Sequence, residues 1–248
     1  MAATVFYLDP LPEVAAVAVL DGPEGHHAAT VRRIRVGERL TLSDGRGGLA
    51  QTEVVAAEHD RLDLLVKSRS VAPTPHPKVT LVQALPKSER SELAVELATE
   101  AGIDAIVPWE AARCVARWKG PKAEKGVAKW RAAALAAARQ SRRPYVPPVA
   151  ELHDTAAVET LIHDAVVRGA LVVALHESAI VPFGKLLLAA AEEVVLIVGP
   201  EGGIDDAELE RFGKAGAATA LLGPTVLRTS TAAAVALGAI GVLTPRWG

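Results

Sequence analysis

The chain has 248 residues, half of them hydrophobic, a small aromatic fraction and a formal net charge of −2. That is enough for one large domain or two modest ones, each with its own core. The single cysteine, Cys114, excludes an intrachain disulfide and a cysteine-built metal site, and fits a reducing, cytoplasmic setting. No cluster of His, Asp and Glu has metal-ligand spacing, so no metal is expected. No secretory leader is recognised, and the longest apolar stretch, Ala232 to Leu243, is too short to cross a bilayer, so no membrane association is expected.

Charge is unevenly distributed. Residues 76–150 hold 13 basic and 7 acidic residues, whereas 151–248 hold 6 and 12. Between Arg113 and Arg143 ten Lys and Arg residues accompany one acid, Glu124. A solvated helical face mixes signs, so this stretch predicts a surface for a polyanion.

In chain order, residues 1–72 read as short strands: Val5–Leu8, Val14–Leu20, Arg39–Ser43, Leu49–Glu58 and Arg61–Ser70. Asp44-Gly-Arg-Gly-Gly48 is a hairpin turn between two of them. Strands at this spacing predict a small β-barrel. Three prolines at alternate positions between Ala72 and Pro77 make a stiff linker, so the boundary is placed at 73–78 and a second domain at 79–248.

Strand and helix then alternate. Strands are predicted at Val79–Ala84, Ile103–Val107, Ala170–Leu175, Val194–Val198 and Thr219–Leu222. Helices are predicted at Ser88–Ala101, Val127–Arg139, Ala156–Val167, Phe183–Ala191, Asp206–Ala215 and Thr229–Leu243. This order implies an α/β domain with a mostly parallel sheet covered on both faces.

The run Val194-Val-Leu-Ile-Val-Gly199-Pro-Glu-Gly-Gly203 joins a buried strand to a glycine turn, and Asp205 with Glu208 has capping-box spacing for the next helix. Leu221-Leu-Gly-Pro-Thr-Val-Leu-Arg228 repeats the design. Glycines let a backbone approach a ligand closely, and α/β sheets bind ligands beyond the carboxyl ends of their strands. With Leu175-His176-Glu177 these loops converge on one pocket if their strands are neighbours. Neither a phosphate-binding G-x-x-x-x-G-K-[ST] nor a G-x-G-x-x-G fingerprint after a strand is present, which argues against standard nucleotide sites.

Five segments together resemble the RsmE family: Gly199-Pro-Glu-Gly-Gly203, Leu227-Arg-Thr-Ser-Thr-Ala232, Ala138-Arg-Gln-Ser-Arg142, Leu85-Pro-Lys87 with Ala98-Thr-Glu-Ala-Gly102, and His26-His-Ala-Ala-Thr-Val-Arg-Arg-Ile-Arg-Val-Gly37. These are SPOUT-class enzymes that methylate N3 of a uridine in small-subunit (16S) ribosomal RNA. The resemblance implies an N-terminal PUA-like β-barrel, a SPOUT α/β domain with a C-terminal trefoil knot, S-adenosylmethionine as cofactor, and a homodimer. The chain departs from the family pattern at Arg139 and Ser230, where Glu is common, and at Ala101, where Leu is usual.

On that resemblance the cofactor contacts are Leu175, His176, Gly199, Pro200, Glu201, Gly202, Leu222, Gly223, Leu227 and Thr229. Arg228 is assigned to stabilising the uracil anion that forms as N3 loses its proton, by oxyanion-hole logic. Glu201 and Glu177 are candidates for the base, although Glu201 could equally hold its turn by hydrogen bonds. Arg32, Arg33 and Arg35 in the barrel, and Arg139, Gln140, Arg142 and Arg143 in the basic segment, are assigned to RNA. Two other readings stay open: a SPOUT enzyme acting on another RNA position, and an RNA-binding ribosome-assembly factor without catalysis.

Overall fold

The computed structural model describes residues 5–87 and 90–247. The chain forms two compact units, Met1–Thr74 with Ala138–Val146, and Pro75–Ala137 with Pro147–Gly248.

The first unit contains β1 (Val5–Tyr7), β2 (Val17–Leu20), α1 (Gly22–Gly25) running into a π-helical turn (His26–Val31), β3 (Arg39–Ser43), β4 (Gly48–Glu58) and β5 (Arg61–Val71). One sheet orders them β1-β3-β4-β5-β2, with only the β1–β3 pair parallel. Alternation buries Ala50, Thr52 and Val54 on β4 and Leu62, Leu64 and Val66 on β5. Phe6 and Leu20, from the two outermost strands, join that same core, so the sheet wraps one interior as a small barrel does. In the hairpin turn Asp44 Oδ1 accepts from the amides of Arg46 (2.7 Å) and Gly48 (2.9 Å). Gly45 and Gly47 there have φ of 72° and 98°, where a side chain would be strained. The expected strand from Val14 starts only at Val17, because Ala15 is left-handed (φ 69°) within a turn closed by Ala16 N–H on the Glu13 carbonyl.

The segment 138–146 belongs to this unit although it lies far along the chain. Tyr7 Oη donates to the Arg143 carbonyl (2.5 Å), Gly47 N–H to the Pro144 carbonyl (3.0 Å), Val146 N–H to the Gly45 carbonyl (2.8 Å) and Tyr145 Oη to the Ala72 carbonyl (2.8 Å). Gly47 lies so close to the Tyr145 ring that a Cβ there would approach its atoms to 2.3 Å. Burial raises the Tyr7 phenol to about 12, which keeps it a neutral donor to the Arg143 carbonyl. The sequence pattern predicts 79–248 as one continuous domain, whereas 138–146 groups with the first unit; nothing in its local pattern signals these partners, which stand about a hundred residues upstream.

The second unit contains β6 (Lys78–Ala84), α2 (Ser91–Glu100), β7 (Ala105–Trp109), α3 (Pro121–Gln140, whose last turn enters the first unit), α4 (Thr155–Val167), β8 (Leu171–Leu175), β9 (Glu193–Val198), α5 (Asp206–Lys214), β10 (Ala218–Ala220) and α6 (Thr229–Leu243). The sheet is parallel throughout, ordered β10-β8-β9-β6-β7. Its central strand β9 buries Val194 to Val198 continuously, as a strand covered on both faces requires. Helix α6 packs against α2 and β9. Pro108 is tolerated in β7 because that strand is at the edge. It begins at Ala105 rather than Ile103, since Asp104 turns its carboxylate to the Val79 amide (2.7 Å).

Among the helices, two differ from expectation. Helix α3 starts at Pro121, six residues before the predicted Val127, with proline in the first turn where its missing N–H has no partner to lose. The predicted helix Phe183–Ala191 is instead two short 3₁₀ turns, Phe183–Lys185 and Leu188–Ala190. Leu186, between the two turns, is extended (φ −71°, ψ 152°), which interrupts a continuous helix. Residues Ser88 and Glu89 of the helix predicted from Ser88 lie outside the described residues; from Ser91 it is helical.

Candidate cofactor pocket

Strands β10, β8 and β9 are neighbours, and their register pairs Ala220 with Leu175 and Leu175 with Val198. The three carboxyl ends are therefore level, and the three loops leave the sheet side by side. They enclose a cavity of about 580 Å³, within the usual range for a drug-sized ligand. All ten residues assigned to the cofactor, Glu201 among them, line it, together with Arg228 and the second candidate acid, Glu177. Sequence reasoning did not assign the apolar walls Val198, Ile204, Val226 and Ala232. Each sits in or next to a quoted motif, and the strand-end rule would have found them.

The first turn is held from several sides. A Cβ on Gly199 would meet Ile204 Cγ1 at 2.6 Å and its amide nitrogen at 3.1 Å, so only glycine lets the turn close over this buried isoleucine. Gly203 is left-handed (φ 73°). Glu201 Oε1 accepts the Lys87 amide (3.1 Å), which ties the turn to the loop after β6. Arg113 lies against Gly202 and pairs with Asp205 (3.0 Å). The predicted capping box is present: Asp205 caps α5, and Glu208 Oε2 accepts the Asp205 amide (3.3 Å). Glu208 also does more than its motif announces. Its buried Oε1 accepts from the Ala112 amide (2.8 Å) and the Thr155 hydroxyl (2.6 Å), joining α5, the loop after β7 and the start of α4.

The second turn is looser. Leu221 exchanges hydrogen bonds with the loop after β8, receiving from Phe183 N–H (2.8 Å) and donating to the Val181 carbonyl (2.9 Å). Beyond it, Pro224, Thr225 and Val226 are exposed, and a Cβ on Gly223 would meet nothing within 4 Å. Arg228 is the N-cap of α6 but does not cap it with its side chain; its carbonyl accepts from the amides of Thr231 (2.9 Å) and Ala232 (3.0 Å). Its guanidinium is exposed and, among the described residues, pairs with no carboxylate. Thr229 is buried at the pocket wall. His176 Nδ1 is 2.8 Å from Ser178 Oγ, a contact that orients its ring at the rim.

Known proteins of matching architecture carry the same combination. The family described as "RNA methyltransferase domain" matches residues 73–241, and the family described as "RNA methyltransferase PUA domain" matches residues 20–67. The chain is 55% identical over its full length to the ribosomal RNA small subunit methyltransferase E of Mycobacterium bovis, covering 94% of that protein. It is 32% identical to the enzyme of that name from Bacillus subtilis, over 94% of this chain and 92% of that one. The chain belongs to this methyltransferase family. The crystal structure of the family member from Neisseria gonorrhoeae, bound to S-adenosylmethionine, superposes with a TM-score of 0.85 at 26% identity over 98% of both chains.

Within the family frame, the departures noted in the sequence have definite places. Ser230 is buried in the first turn of α6 and its hydroxyl has no hydrogen-bond partner among the described residues, but it does not line the pocket. Arg139 pairs with Glu24 (2.6 Å) and stands over the Tyr7 ring at 5.8 Å. All seven residues assigned to RNA fall in the first unit. Arg32, Arg33 and Arg35 follow the π-helical turn and are exposed, and the Arg139–Glu24 pair fastens the basic segment to the helix leading into that turn. Arg139, Gln140 and Arg142 are exposed and Arg143 is half-buried. Cys114, buried beside Arg113, has its thiol pushed up to about 11 by burial. Among the described residues no helix is long and apolar enough to cross a membrane.

Proposed function

We propose that this protein transfers a methyl group from S-adenosylmethionine to N3 of a uridine in the small-subunit ribosomal RNA. The observation that carries the reading is the level set of three strand ends whose glycine turns enclose one cavity, with an arginine at its edge that has no carboxylate partner among the described residues. Leu175, Leu222 and Leu227 offer apolar walls for an adenine, while Gly199, Gly202 and Gly223 let backbone atoms come close. The cofactor supplies an electrophilic methyl on a sulfonium that leaves as a neutral thioether. The protein's task is then alignment and charge, with no need for a metal.

Arg228 faces the charge that grows on the uracil as its N3–H bond breaks, a role that suits an exposed guanidinium with no carboxylate partner among the described residues. Glu201 has one oxygen engaged by the Lys87 amide, which suits it first to bracing the rim; its second oxygen is available to receive the N3 proton. The seven basic and polar residues of the first unit hold the RNA. The same reading includes a cytoplasmic homodimer and the trefoil knot. Exposed Val235, Val242, Leu243 and Trp247 on and after α6 support an interface, and the pairing of Leu221 with the loop after β8 supports a threaded C-terminus.

The test is methyl transfer from labelled S-adenosylmethionine to small ribosomal subunits lacking this modification, with the nucleoside identified by mass spectrometry. N3-methyluridine is expected. Label in another nucleoside would move the activity to a different RNA position, and bound cofactor without label on any ribosomal RNA would favour the assembly-factor reading.

A further inference from the structure

Helix α3 has two unlike edges. At 100° per residue, Lys122, Lys125 and Lys129 fall within an arc of about 60° on one side of its buried stripe. That stripe is formed by Val127, Trp130 and Ala134. Glu124 and Arg131 fall on the opposite edge, where Arg131 is paired with Glu151 at 2.6 Å. One edge is thus mixed in sign and its arginine is paired off the helix, as on an ordinary solvated surface. The other carries one sign only, and among the described residues none of its three lysines has an ion-pair partner. Ala128, Ala132 and Ala136 are exposed beside the lysines, so nothing bulky obstructs a chain lying along them.

This edge is mechanically joined to the cofactor pocket within the second unit. Arg113 packs on Gly202 of the pocket wall. The loop behind it is held by Arg117, which donates to the carbonyls of Ala111 (2.9 Å) and Ala112 (2.7 Å), and by Glu110, which accepts the Trp118 amide (2.9 Å). Trp118 then lies against Gly126, where a Cβ would meet its ring at 2.6 Å, and edge-on to Trp130 at 5.3 Å. The first turns of α3 are therefore fixed relative to the glycine turn rather than hung on a free loop.

We propose that Lys122, Lys125 and Lys129 form a track for the phosphate backbone of the substrate RNA as it leaves the methyl-transfer pocket. The proposal rests on the reading of that pocket as the site of RNA methylation. Lysine suits the role because it contributes a mobile point charge without demanding a base sequence. The three positions span about 10 Å of helix axis, which matches an extended strand better than a small anion. The arginines of the first unit are a separate set, and the track adds sequence-independent affinity to theirs.

The experiment compares the full-length protein with the triple variant Lys122→Gln/Lys125→Gln/Lys129→Gln and with the triple Lys→Arg variant at the same positions. A control carries Lys78→Gln and Lys185→Gln, also exposed lysines of the second unit. Binding to protein-free 16S ribosomal RNA is measured against salt concentration, beside cofactor affinity and RNA methylation. Losing three phosphate contacts lowers the slope of log K against log salt by about 2 and weakens RNA binding roughly tenfold at low salt. KM for RNA rises, kcat and cofactor affinity stay, and the Arg variant and the control behave as the unaltered protein. An unchanged salt slope in the Gln variant would overturn the track, as would an equal loss in the control. Because the slope is read from binding alone, the track can fail while the unaltered protein still methylates uridine, and it can stand if the methylated nucleoside proves to be another.

Discussion

The two glycine turns that make the pocket are built from the same kinds of residue and are held very differently. Gly199–Gly203 is closed over Ile204, tied to Lys87 through Glu201, flanked by Arg113 and followed by a complete capping box. Leu222–Arg228 has open space at Gly223, an exposed Val226 and an N-cap whose side chain caps nothing. A site that must hold one cofactor and admit a large RNA gains from this division. On the function proposed above, the braced turn would be preorganised for the constant ligand, and the open turn would carry the charge that acts on the incoming base.

The largest effect is expected at the open turn. Arg228→Ala should reduce kcat by roughly a hundredfold or more while leaving cofactor affinity, by calorimetry, within a few-fold, because the lost interaction belongs to the transition state. Parallel losses in cofactor affinity and kcat would assign Arg228 to cofactor binding instead.

The paired variants Gly199→Ala and Gly223→Ala sharpen the contrast. The first forces a Cβ to within 2.6 Å of Ile204 and should lower Tm by roughly 2–10 °C, with a clear loss of cofactor affinity. The second meets nothing within 4 Å and should leave Tm unchanged, so any change in cofactor affinity reports on the ligand alone. Equal melting shifts would show that the two turns are equally constrained.

The smallest effect on the enzyme, and the most direct reading of order, comes from thiol labelling. Cys114 is 5% exposed beside the braced turn, and with its thiol near 11 only about one molecule in a thousand is thiolate at pH 8. Burial raises this pKa, so labelling should quicken as pH rises toward 11. A cysteine placed by Val226→Cys, at a position 76% exposed, should label about a hundredfold faster or more at pH 8. Comparable rates would mean that the braced half opens readily.

Much of the site was legible in advance because its determinants are local. A run of β-branched residues, a glycine turn and an Asp205–Glu208 pair three residues apart specify strand, close approach and helix start without help from elsewhere. The convergence of three loops was only conditional until the order β10-β8-β9 and the level pairing of Ala220, Leu175 and Val198 appeared. The failed helix at 183–191 shows the opposite case, where composition suited a helix but the chain is extended at Leu186 as it packs Phe183 and Leu188 into the core.

The amino-acid sequence by itself determined the strand and helix order of the second unit, both glycine turns and the chemical character of the pocket, since each depends on residues within a few positions of one another. Tertiary structure alone decided that residues 138–146 join the N-terminal unit and that Glu208 links α5 to two other segments. It also decided that the basic stretch divides into an arginine set in one unit and a lysine edge in the other. Those outcomes depend on partners dozens to more than a hundred residues apart, whose pairing is selected by burial and hydrogen bonding in the folded chain rather than by any local preference.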